Sequence, residues 1–137
     1  MDKTDIKIID LLKSDARQSF VEIGKKINLS EAAARRRVQN LIENQVIKRF
    51  TIDVDTGQGA NAMALLSIGP NMPVPRVAKD LKAIKGVDVV HEITGQYDIC
   101  VLIHAPNIGE INRSVDDIRG INGVATTNTV IILRSIR

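Results

Sequence analysis

Three consecutive arginines, Arg35, Arg36 and Arg37, are followed by Gln39 and Asn40, with Lys48 and Arg49 inside the same fifteen residues and only Glu43 opposing them. Such side chains at helical spacing suit nucleic-acid edges: Arg pairs bidentately with guanine, and Gln or Asn with adenine. A second constellation is Gly95-Gln96-Tyr97-Asp98, a turn carrying the only tyrosine and a carboxylate, together with the polar run Thr126-Thr127-Asn128-Thr129. A carboxylate can hold an ammonium, and hydroxyls with turn amides can hold a carboxylate, so this set complements a free amino acid. The same residues also fit ordinary hairpin chemistry and threonine's preference for strands. A third set, His91, His104 and Cys100, has no HxxxH, CxxC or serine-elbow spacing, which leaves metal binding and nucleophilic catalysis without support. Packed or interfacial histidines are expected instead. Gly57-Gln58-Gly59 lacks the remainder of a dinucleotide fingerprint. No catalytic residue, metal or cofactor is expected.

The arginine cluster needs a helix to position it. Apolar spacing predicts one over residues 5–14, carrying Ile6, Ile8, Ile9, Leu11 and Leu12. Ser19 stands three residues before Glu22, a capping box, and Phe20, Ile23, Gly24 and Ile27 then fall on one face. Gly24 allows a close helix approach. After the break Asn28-Leu29-Ser30, which ends in a good N-cap, a third helix collects Ala34, Val38, Leu41 and Ile42 on one side. Arg36, Gln39 and Glu43 point the opposite way, flanked by Arg35, Asn40 and Ala32, with Arg37 at the boundary. Ser30, Ala32 and Ala33 are short enough for the helix start to approach a groove closely. Helix, three-residue turn and helix with a polar outer face is the helix-turn-helix arrangement; the bland alternative is a three-helix bundle with a basic surface. Residues 46–52 alternate and predict a basic strand, wing-like, that brings Lys48 to a phosphate.

The second constellation belongs to a different pattern. Residues 53–61 contain two glycines and little that is apolar, a natural linker. Beyond it, strands are predicted over 62–68, 87–94, 98–105 and 124–133, and helices over 74–84 and around Ile108 to Ile118. The order βαββαβ is that of a ferredoxin-like sandwich. Its strands are apolar on both faces: Ile99, Val101 and Ile103 oppose Cys100 and Leu102, and Val130 and Ile132 oppose Ile131 and Leu133. One layer of helices covers one face only, so a second copy is expected on the other.

Composition agrees. The 137 residues carry a net charge of +3, but residues 1–50 hold eleven Lys and Arg against seven Asp and Glu, whereas the rest is nearly balanced. That asymmetry favours a polyanion partner for the first part. A lone cysteine excludes a disulfide framework, and no apolar run is long enough for a membrane span. The start, MDKTDIK, leads into no apolar region of a secretory signal. The expectation is a cytoplasmic protein with no membrane partner.

The stretches DKTDIKIIDLLKSDARQSF, INLSEAAARRRVQNLIENQVI, ITGQYDICVLI and GVATTNTVIIL, in this order, resemble the Lrp/AsnC, or feast/famine, family of transcription regulators across the whole chain. The resemblance implies an α+β architecture: a winged helix-turn-helix DNA-binding domain over residues 1–50, a hinge over 51–61, and a ferredoxin-like effector-binding and oligomerisation domain over 62–137. It implies double-stranded DNA and a free amino acid as partners, and dimers assembling to octamers with effector between dimers. DNA contacts are expected at Ser30, Ala32, Arg35, Arg36, Arg37, Gln39, Asn40 and Lys48. Effector contacts are expected at Gly95, Gln96, Tyr97 and Asp98, with Thr127 and Thr129 matching positions that line the same pocket in relatives. Gln45 stands where the family usually has glycine, and Ala34 where it has a larger aliphatic. Two other readings remain at this point. One is a sirohaem-decarboxylase-like enzyme of the same family that sets His91 or His104 beside a porphyrin, against which the arginine face argues. The other is an architectural DNA-binding protein that senses nothing.

Overall fold

A computed structural model describes residues 1–136. The chain divides into two compact units, Met1–Val54 and a second from Asp55 onward.

In the first unit, α1 (Lys3–Ser14) starts two residues earlier than its apolar spacing predicts. Asp2 and Asp5 form a capping box in which each carboxylate accepts the other's backbone N–H at 2.9 Å. Helix α2 (Phe20–Ile27) starts at the expected Ser19–Glu22 box and ends where Asn28 turns left-handed, at φ 57°. Gly24 is required here: a Cβ on it would lie 2.5 Å from the carbonyl oxygen of Leu29. Its own carbonyl accepts the Leu29 N–H at 2.8 Å, which closes the turn. The Ser30 hydroxyl then accepts the Ala33 N–H at 3.1 Å and starts α3 (Glu31–Glu43). Ile8, Ile23, Ala34, Val38 and Leu41 form the core, with Phe20, Ile27 and Ile47 around it.

Two expectations are corrected in this unit. Ile42, assigned to the inner face of α3, is 37% exposed, because α1 and α2 cover only the arc of Ala34, Val38 and Leu41. Residues 46–52 form no strand: Val46 and Ile47 lie in a bend and 48–52 have no regular structure, so the winged part of the expected helix-turn-helix is absent among the described residues. A ribbon is stabilised by ladder hydrogen bonds to a neighbour, and every strand of the described chain starts at Ala60 or later. Phe50, Ile52 and Val54 are left 53%, 80% and 70% exposed.

The second unit is the expected α+β sandwich. Its elements are β1 (Ala60–Ile68), α4 (Val74–Lys82), β2 (Val87–Glu92), β3 (Ile99–Ala105), α5 (Ile108–Arg119) and β4 (Val124–Ile132). The sheet order is β2-β3-β1-β4, with all neighbours antiparallel. Ala62, Ala64 and Leu66 of β1 and Ile99, Val101 and Ile103 of β3 face the helices, where Val77, Leu81, Ile111 and Ile118 meet them. Each large side chain fully buried here contributes roughly 1.5–3 kcal/mol. The register puts Met63, Leu65, Cys100, Leu102 and Val130 on the other face, which no helix covers. Leu133 lies just beyond β4 and is exposed. Among the described residues no helix is long and apolar enough to cross a membrane.

The exit from α3 yields a stability prediction. Gln45 takes φ 55°, while Val46 N–H donates to Leu41 O and Gln45 N–H to Ile42 O, both at 2.9 Å. This is a left-handed helix stop that glycine adopts without the Cβ penalty. Gln45→Gly is expected to stabilise the first unit by about 0.5–1 kcal/mol, read as a higher urea midpoint at unchanged slope.

Candidate functional site

The outward face of α3 carries the basic constellation, and its three arginines have three different environments. Arg36 is exposed, between Gln39 and Asn40 on the helix surface, and among the described residues has no ion pair or hydrogen bond. Arg35 donates from Nη2 to Glu31 Oε1 at 2.8 Å and lies over the Phe20 ring, 4.7 Å from its centroid. Arg37 is turned toward the helix start: its Nη1 donates to Asp2 Oδ2 and to Asp5 Oδ1, each at 2.9 Å. Gln39 Nε2 donates to Glu43 Oε1 at 3.1 Å, an exposed contact that a ligand can displace. Ala32 and Asn40 are exposed, and the Ser30 hydroxyl is engaged as the cap. Lys48 lies on the irregular segment after α3 and not on a wing. A cleft of about 630 Å³ runs beside the face, lined by Met1, Leu29, Ala33, Arg36, Asn40 and Asn44 among others.

The Arg37 contact braces α1 against α3. The Asp2 carboxyl is held below the usual carboxylate range, first by the Asp5 backbone N–H that it accepts and next by the Arg37 guanidinium. Arg37 is correspondingly raised, chiefly by Asp2 and then by Asp5. Arg37 was expected among the DNA contacts; two of its hydrogen bonds are already made within the protein.

The second constellation lies at one end of the sheet. Gly95 sits at φ 113°, and Ile93 N–H donates to Asp98 O at 2.9 Å across the turn. Asp98 ties the turn to β1: its N–H donates to Leu66 O at 2.9 Å, and its Oδ2 accepts the Ile68 N–H at 2.7 Å. Tyr97 accepts at its hydroxyl from Asn128 Nδ2 at 3.2 Å. Beside Asn128 on the same open face, Ser67 and Thr126 hydrogen-bond to each other. Gln96 is exposed at the tip.

Thr127 and Thr129 do not join that group. They pair with Leu66 and Ala64 and so point to the helix side. There Thr127 Oγ1 accepts from Arg119 Nε at 3.3 Å, and Thr129 Oγ1 is buried without a partner among the described residues. Ser67 is the polar residue that the sequence does not single out; Thr126 and Asn128 belong to its polar run but not to its expected effector contacts. Counting parity from the apolar Val130 was the available signal.

The histidines stand apart. His91 is exposed, and His104 pairs through Nδ1 with Asn61 Oδ1 at 2.8 Å. Burial pushes the Cys100 thiol up, away from reactivity. No group of three His, Cys, Asp or Glu able to hold a metal occurs among the described residues.

Comparison with known proteins finds a family model for each of the two parts of the chain. The model of the AsnC-type helix-turn-helix domain matches residues 1–42, and that of the Lrp/AsnC ligand binding domain matches residues 61–137. The HTH-type transcriptional regulator LysM of Saccharolobus solfataricus is 43% identical over 135 residues, covering 98% of this chain and 95% of the relative. Among solved structures, a feast or famine regulatory protein from M. tuberculosis complexed with L-methionine superposes with a TM-score of 0.89. It is 21% identical and covers 99% of this chain and 94% of its own. A transcriptional regulator from Neisseria meningitidis in complex with L-Met gives 0.87 at 22% identity, covering 100% and 92%.

The brace has a measurable consequence. In Arg37→Met the Asp2 carboxyl should titrate at higher pH than in the wild type, followed by side-chain NMR. A depressed carboxylate adds stability above its unfolded value and loses it as pH falls through the folded one. The wild type should therefore lose more of its first unit's stability on acidification than the variant does.

Proposed function

Because the chain belongs to the Lrp/AsnC family of transcription regulators, we propose that it binds duplex DNA sequence-specifically and that a free amino acid modulates that binding. The coarser statement stands on the comparisons alone: the protein is a transcription regulator, not an enzyme, with a DNA-binding helix-turn-helix and a ligand-binding domain. The finer reading keeps a DNA-binding part over residues 1–50, a hinge over 51–61 and an effector-binding, assembling part over 62–137.

One observation carries the DNA reading. The surface of α3 opposite its core stripe presents Arg36 unpaired among the described residues, with Gln39 and Asn40 beside it. In a major groove these donors match guanine and adenine edges. Arg35 and Lys48 are then suited to phosphates, which hold register without reading sequence.

For the effector, the support is the turn of Gly95, Gln96, Tyr97 and Asp98 with its neighbours Asn128, Thr126 and Ser67. The Asp98 carboxylate suits an ammonium, and the hydroxyl and amide groups suit a carboxylate. Two structurally similar regulators hold L-methionine, which favours an amino acid as the ligand class. Thr127 and Thr129, on the helix side of the sheet, are left out of this set. The open sheet face and exposed Phe50, Ile52 and Val54 favour a homodimer and its further assembly, up to an octamer. Ligand acts by linkage: if it prefers one arrangement of subunits, it changes the spacing of the α3 helices and hence DNA affinity. The work is cytoplasmic, where the DNA is.

Two measurements test this. The double variant Arg36→Ala/Gln39→Ala should lose tenfold or more in affinity for the gene's own upstream duplex and blunt its sequence preference, since each bidentate contact is worth about 1–3 kcal/mol. Unchanged gel shifts would remove the face from consideration. Separately, a thermal-shift screen of the twenty amino acids should give a clear stabiliser, worth about 2.7 kcal/mol at a hundred times its Kd. Asp98→Asn, which keeps an acceptor for the Ile68 N–H, should abolish that shift and leave ligand-free DNA binding intact.

A further inference from the structure

We infer that Phe20 and Glu31 set the strength of a phosphate contact made by Arg35, Phe20 by positioning its guanidinium and Glu31 by competing for it. The inference rests on the reading of α3 as the DNA-facing helix.

Arg35 leaves α3 about 100° round from Arg36, on the side toward α2. That flank borders the base-reading face, where a helix in a groove meets the sugar-phosphate wall. The guanidinium is not swinging freely. Its Cζ lies over the ring of Phe20, the first residue of α2, 4.7 Å from the centroid, and its Nη2 donates to Glu31 Oε1 at 2.8 Å. A guanidinium already held over Phe20 loses less freedom when an anion takes its donors.

Glu31 holds it with the chemistry a phosphate would use. An anionic oxygen at 2.8 Å from Nη2 occupies the donor that a phosphate oxygen would accept from. More than half of each side chain is exposed, 61% for Arg35 and 51% for Glu31, so exchange needs no repacking of the core. The pair therefore acts as an internal competitor that DNA must displace. As a surface i,i+4 pair it adds little to stability, and Glu31 in the first helical turn has the ordinary dipole benefit. Neither of those roles predicts an effect on DNA that depends on Arg35.

The test is fluorescence anisotropy of the full-length protein with the gene's own upstream duplex and a scrambled duplex, across about 50–200 mM KCl. Glu31→Gln should tighten both duplexes about threefold to tenfold and steepen the salt dependence by roughly 0.9 in log–log slope. Phe20→Leu should weaken both about twofold to fivefold. In an Arg35→Ala background both effects should vanish, so that the double variants bind as Arg35→Ala does. Tightening by Glu31→Gln that persists in full without Arg35, or an unchanged salt slope, overturns the assignment and leaves the α3 interface standing. Failure of the wild type to bind either duplex overturns both.

Discussion

The contact on which the rest depends is the burial of Ala34, Val38 and Leu41 against Ile8 and Ile23. A helix as polar as α3 has no reason to stay folded alone. It exists because one narrow stripe is removed from water, and that stripe fixes by geometry which residues point outward. Ala34 is informative here. It is small and fully buried, and a Cβ on Gly24 would lie 2.5 Å from the Leu29 carbonyl oxygen, so α2 meets the turn that leads into α3 at close range. The turn Asn28-Leu29-Ser30 is then constrained from both sides, by the left-handed Asn28 and by the Ser30 cap. The orientation of the arginine face thus follows from a glycine and an alanine that never touch it.

Three adjacent arginines cannot share one role on such a helix. Successive side chains step by about 100°, so Arg35, Arg36 and Arg37 sweep some 200° of its circumference. Arg36 falls opposite the core and is open. Arg35 falls toward α2 and finds Phe20 and Glu31. Arg37 falls toward α1 and meets the two aspartates that also cap that helix. Asp2 and Asp5 consequently serve two partners at once: the exposed N–H groups of α1 and the guanidinium. That double use joins the start of α1 to α3.

What could be read from the amino-acid order alone was whatever local chemistry determines. The Ser19–Glu22 box, the Ser30 cap, the alternation in β3 and the βαββαβ order all depend on neighbours within a few residues. The failures share the opposite property. Residues 46–52 alternate like a strand, but a strand is a relation between two segments, and no second segment forms a ladder with this one among the described residues. Arg37 looks available because its partners lie 35 and 32 positions away. The resemblance sets Thr127 and Thr129 beside Tyr97, whereas the period of two sends them to the helix side and brings Asn128 to the tyrosine. Parity was legible in the sequence; the cross-strand register that gives it meaning was not.

The sheet shows why ligand and assembly need not be separate problems for this chain. Its open face is apolar at Met63, Leu65, Cys100 and Leu102 and becomes polar toward one end, at Asn128, Ser67 and Thr126. The polar end is hydrogen-bonded to the turn that holds Asp98, and Asp98 in turn holds the last residues of β1 through Ile68. A second copy seated on the apolar part would border this network directly. A ligand that engages Tyr97 or Asp98 then acts on groups already bonded to the strands of that face. Under linkage, it shifts assembly by no more than the difference in its affinity for the two arrangements. Side-chain hydrogen bonds to β1 and β4 join the turn to the strands of that face.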